Sequence, residues 1–83
     1  MISMSVGEAV KNRIIELCHM RDISINKLCS MSGITQSTIN NIISGRNNST
    51  SVATIKKLCD GLDITLSEFF STPEFDSLEQ EIK

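Results

Sequence analysis

The sequence predicts an all-α fold of five helices, with a short sixth possible at the C-terminus. Three observations carry that prediction. Apolar residues recur at spacings of three and four in successive segments, and no stretch alternates as a strand would. Most segments are preceded by a serine or threonine placed to cap a helix. Residues 24–46, SINKLCSMSGITQSTINNIISGR, read as a short helix, a glycine turn and a second helix, which is a helix-turn-helix. No internal repeat or low-complexity stretch is expected.

Ser5 and Glu8 make an S-x-x-E capping box for the first helix. Val10, Ile14, Leu17 and Cys18 then form a core stripe that runs to about His19 or Met20. Ser24 caps the second helix, over 25–31, where Leu28 anchors and Cys29 is small enough for another helix to cross close by. Gly33 supplies a positive φ between the helices, and Ile34 plugs the turn. Thr35 caps the third helix, over 36–44, with Ile39 and Ile42 turned inward and Gly45 ending it. The loop GRNNST is polar and needs no core. Ser51 caps the fourth helix, whose inward stripe is Val52, Ile55, Leu58, Cys59 and Leu62. Thr65 and Glu68 box the fifth, TLSEFF. Thr72-Pro73 places proline at the first position of a sixth helix over 73–81, with Phe75, Leu78 and Ile82 on one face. That face either folds back on the chain's own core, covers a partner subunit, or frays.

Eighty-three residues, 40 % of them hydrophobic, suffice for one domain with a modest core. We expect residues 1–70 to form that domain and 71–83 an acidic tail or helix. Residues 1–70 hold seven basic side chains against six acidic ones, net +1, whereas 71–83 hold four acids against Lys83, net −3. The body is less basic than most DNA-binding domains. Cys18, Cys29 and Cys59 are far apart and have apolar neighbours, so we read them as reduced core residues, redox sensing being the minor alternative. No spacing suits a metal, and no cofactor or small-molecule ligand is evident. One histidine, no glycine-rich phosphate loop and no clustered carboxylates outside the tail argue against an enzyme. MISMSVGEAV has neither a charged leader nor a long apolar run, and no run spans a membrane, so a cytoplasmic location is expected.

The third helix carries the functional signal. At about 100° per residue, Ile39, Ile42 and Ile43 share one arc, while Ser37, Asn40, Asn41 and Ser44 lie opposite, flanked by Gln36 and Thr38. A merely solvated face would carry Glu and Lys, which favour helix. Amides instead donate and accept together, matching adenine N6 and N7 in the major groove of double-stranded DNA. The start of such a helix goes deepest, so Gln36, Ser37 and Asn41 are the candidates for base edges. Thr35, Thr38, Asn40, Arg46, Asn47 and Asn48 are the candidates for the DNA backbone, joined by the N–H groups that open helices two and four. Lys27 and Lys56 are weaker ones.

Leu28-Cys29, Gly33-Ile34, Gln36-Ser37-Thr38-Ile39, Ser44-Gly45-Arg46 and TIKKLCDGLDITLSEFF occur in that order over residues 6–70. In this the chain resembles the phage-repressor-like helix-turn-helix family, named for Cro or for xenobiotic response elements. The resemblance implies a five-helix, lambda-repressor-like domain that binds DNA as a homodimer on a two-fold operator, most often as a repressor. It also implies a glutamine at the first position of helix two, buttressing the first glutamine of helix three; Ile25 stands there, so Gln36 is expected to lack that support. Cys29 replaces the usual Ala, and Thr50 a common Pro. The weak net charge and acidic tail motivate a second reading, a protein-interaction module such as the antitoxin partner of a toxin.

Overall fold

A computed structural model describes residues 5–44 and 50–78, and every regular element among them is helical. The order is α1 (Val6–Arg21), α2 (Ile25–Ser32), α3 (Gln36–Ile43), α4 (Val52–Leu62), α5 (Leu66–Phe69) and α6 (Pro73–Asp76). Ser5, Ser24, Thr35, Ser51 and Thr65 each accept a hydrogen bond from the backbone N–H three residues on, so these five caps form as the sequence predicts. The Thr65–Glu68 box is complete in both directions, whereas the box expected at Ser5 and Glu8 forms only its Ser5 half.

One core lies between the helices. Val10, Ile14 and Leu17 of α1, Leu28 of α2, Ile39 and Ile42 of α3, Ile55, Leu58 and Leu62 of α4, and Phe69 of α5 are buried together with all three cysteines. Val52, expected in the inward stripe of α4, is instead 66 % exposed. It is the first residue of α4 and, at 100° per residue, lies about 60° or more from the line of Ile55, Leu58 and Leu62. The most extensive helix pairing is α2 on α4, where Gly61 lets the backbone of Met31 and Ser32 come close. The close crossing thus runs over a glycine of α4, a residue the spacing argument passed over.

Three helix ends are built alike. Leu17-Cys18, Leu28-Cys29 and Leu58-Cys59 are each followed, after three residues, by a left-handed residue and then an isoleucine. The left-handed residues are Asp22, Gly33 and Asp63, with φ of 54°, 67° and 56°. Ile23, Ile34 and Ile64 then donate their N–H to the carbonyls of Cys18, Cys29 and Cys59 at 3.0, 3.2 and 2.9 Å, the six-residue closure of a Schellman motif. A Ser or Thr follows each isoleucine and caps the next helix. The expectation of no internal repeat is therefore corrected: one corner, L-C-x-x-x-(D/G)-I-(S/T), is used three times.

The fifth helix is tied to the first by Arg13. Its Nε donates to the Phe69 carbonyl and its Nη2 to the Glu68 carbonyl, both at 2.7 Å, while Nη1 pairs with Glu16. The sixth helix is shorter than expected. It is one turn, ending at Asp76 rather than at residue 81. Thr72 makes no side-chain cap, and the Ser77 hydroxyl turns back onto the carbonyls of Pro73 and Glu74, which closes the turn. Phe75 packs on the core and lies 6.2 Å, ring centre to ring centre, from Phe69. Of this face, Phe75 folds back on the chain's own core, Leu78 lies half-buried beyond the end of α6, and Ile82 falls outside the described residues. No helix among the described residues is long and apolar enough to cross a membrane.

Candidate nucleic-acid interface

The turn between α2 and α3 fixes how the third helix is presented. Gly33 is at φ +67°, and a Cβ there would meet nothing within 4 Å, so it is backbone conformation rather than space that asks for glycine. Ile34 is buried beneath the turn, as expected. Ile39 and Ile42 are buried and Ile43 is half-buried, which holds α3 against the core by one side.

The opposite side brings the proposed base-contacting residues together. Gln36, Ser37, Asn40, Asn41 and Ser44 are all exposed, and no charged side chain interrupts them. Helix α3 ends at Ile43, with Ser44 as its cap and the Ser44 hydroxyl donating to the Asn41 carbonyl at 3.3 Å. Thr35 and Thr38 sit at the helix start, where their hydroxyls share a 2.9 Å hydrogen bond and Thr35 also accepts from the Thr38 N–H. Arg46, Asn47 and Asn48 lie outside the described residues, as does Gly45.

One expectation about this face is overturned. Gln36 does not lack a buttress: its Nε2 donates to the Oδ1 of Asn26, from α2. Ile25 is half-buried and packs against the core, while Asn26, one residue later, is exposed. A 100° step around α2 separates the two, enough to point one inward and the other along the surface. The amide stands one residue beyond the position where it was expected, and only the crossing of α2 and α3 brings it to Gln36.

Charge is sorted among the helix starts. The first turns of α2, α3 and α4 hold no acidic residue, whereas Glu8, Glu68, and Glu74 with Asp76 occupy those of α1, α5 and α6. Where α1 and α5 have Glu three residues after the cap, α3 and α4 have Thr38 and Thr54, and the Ser51 and Thr54 hydroxyls lie 2.9 Å apart. A helix start without carboxylates keeps its positive end of the dipole and its N–H groups for an anion. Of the weaker candidates, Lys27 is exposed in the first turn of α2, and Lys56 is engaged by Asp60 at 2.6 Å, which raises its pKa. The three thiols are buried and free, and that burial pushes their pKa values up. Among the described residues no group of three or more His, Cys, Asp or Glu is placed to hold a metal ion.

The crystal structure of the prophage Lp1 protein 11 is similar to this fold with a TM-score of 0.80 and 30 % sequence identity, over 93 % of this chain and all of that one. No curated protein matches the chain. The family model of the Cro/C1-type HTH DNA-binding domain matches residues 13–74, which include every helix from α2 to α5. The chain therefore belongs to the Cro/C1-type helix-turn-helix DNA-binding family.

Proposed function

We propose that this protein is a sequence-specific regulator that binds double-stranded DNA as a homodimer and represses by occupying a promoter. The observation that carries the reading is the uncharged amide and hydroxyl face of α3, in a chain whose α2, α3 and α4 all start without carboxylates. In this reading α3 lies in the major groove, with Gln36, Ser37 and Asn41 at base edges. Thr35, Thr38 and Asn40, with Arg46, Asn47 and Asn48, meet the sugar-phosphate backbone. Two copies place their third helices about 34 Å apart, one helical turn of DNA. Residues 71–83 extend the DNA-binding domain as an acidic segment, held at its start by Phe75 on the domain's own core. No catalytic step is assigned, and the protein acts in the cytoplasm.

Selection of bound sequences from a random duplex pool tests this, with a palindromic site as the expected result. The double variant Gln36→Ala/Asn41→Ala is expected to keep its helical circular dichroism and lose the preference for that site, since a bidentate amide–base pair contributes about 1–3 kcal/mol of discrimination. Unchanged discrimination refutes the assignment of these residues. The acidic α6, with Glu74 and Asp76, favours the interaction-module reading. Duplex affinity that does not fall between low and moderate salt supports that reading, because neutralising phosphates must release counterions.

A further inference from the structure

We infer that the C-terminal part of this chain, from the second half of α4 onward, is an electrostatic orienting element. It repels duplex DNA, so that productive encounters lead with α3, and it raises the ratio of specific to non-specific binding. The inference rests on the reading that α3 enters a major groove. Charge in this chain changes sign at one point. Residues 1–57 hold seven basic side chains against three acidic ones, net +4, whereas residues 58–82 hold seven acids and no base, net −7. The boundary falls inside α4, between Lys57 and Asp60.

Little of that negative charge is neutralised within the fold. The ion pairs among the described residues are Arg13–Glu16 and Lys56–Asp60, and neither involves a carboxylate of α5 or α6. Glu68 closes the box at Thr65, while Glu74 and Asp76 are exposed. A carboxylate in a first turn favours its helix. That local effect does not account for the absence of any base from 58 to 82.

The fold also sets this charge apart from the reading helix. Helix α3 packs on α1 and α2, whereas α5 packs on α4 and α6 on α1. Packed helices stand about 8–10 Å apart, and at physiological ionic strength a charge is screened over about 8 Å. The molecule spans 37 Å along its longest axis. With α3 in the groove, the carboxylates of α6 therefore act weakly on the duplex. An approach that leads with α5 and α6 instead brings them against phosphate. Non-specific binding is almost wholly electrostatic, so it is the binding that this pattern suppresses first.

The test compares affinity for the selected site with affinity for a random duplex of equal length, over a salt series, for the full-length chain and two variants. Glu74→Gln/Asp76→Asn is expected to tighten random-duplex binding about 10-fold at low salt, while changing affinity for the site less than about 2-fold. Glu74→Lys/Asp76→Lys is expected to steepen the random-duplex salt slope by about 2, as two new phosphate contacts would, and to leave the slope for the site within about 0.5. A merely structural role for these carboxylates would shift the urea midpoint and move both affinities together. If both affinities rise alike, or neither changes, the orienting inference falls while the DNA reading stands. If the wild-type chain selects no site at all, that reading falls and the inference with it.

Discussion

At the scale of single residues, Gly61 decides how closely α2 can lie on α4. A Cβ added there would stand 2.4 Å from Ser32 Oγ, 3.0 Å from Ser32 Cα and 3.1 Å from the Met31 carbonyl carbon. In an open helix, alanine would be better than glycine by about 1 kcal/mol. Here two of the three neighbours are backbone and cannot rotate aside, so the clash wins. Gly61→Ala is expected to destabilise by about 1–3 kcal/mol in urea unfolding. The Ser32 hydroxyl has no hydrogen-bond partner among the described residues, so Ser32→Ala removes the nearest atom without orphaning another. In that background the penalty of Gly61→Ala should shrink without vanishing; an equal penalty in both backgrounds refutes the packing argument. Spacing could not announce this contact. A glycine in LCDGLD looks like a turn residue, and only the second helix lying over it gives it another purpose.

At the scale of elements, local features were legible and distant ones were not. The five formed caps were readable because each is a bond between residues three apart, written within one turn of sequence. The three repeated corners were equally local, yet hidden by alternating Asp and Gly at the left-handed position, two residues that share only a tolerance for positive φ. Arg13 was not legible. Its partners lie 55 and 56 residues away, and a cation beside a helical stripe ordinarily signals solvent. Its guanidinium is a fork that meets two carbonyls at the end of α5, which lysine, with a single point of charge, cannot copy. Arg13→Lys is therefore expected to lose about 1–3 kcal/mol and to shift the amide resonances of α5 and α6 more than those of α3. Uniform shifts, or none, would show that Arg13 does not clamp this end. The short α6 follows from the same limit: an apolar spacing extended to Ile82, but the Ser77 turn is a hydroxyl choice that spacing does not encode.

At the scale of the whole molecule, the burial of Cys18, Cys29 and Cys59 in one core couples stability to alkaline pH. Desolvation holds each folded thiol above its ordinary range, with the neighbouring Cys29 adding to the effect at Cys18. The unfolded chain releases those protons at about pH 8.5, so it binds fewer protons than the folded one above that point. The sign follows. Stability is complete below the unfolded thiol range and declines as pH rises from there toward the folded values. Urea midpoints measured under reducing conditions at about pH 7.5, 9 and 10 should fall in that order, and Cys18→Ala should make the fall shallower. A flat profile would mean that the thiols are not desolvated as a group. The fold class and the exposed amide face of α3 were legible because both rest on periodicity; the Asn26–Gln36 pair was not, since it depends on how two helices cross. The hydroxyl-only starts of α3 and α4 have a last consequence, for design. A procedure that optimises stability alone would write glutamate at positions 38 and 54, copying the box the chain already uses at Thr65 and Glu68. Such a redesign would place negative charge on the face assigned to phosphate. This sequence forgoes that improvement at two helix starts, and the proposed phosphate contacts there supply a reason for it.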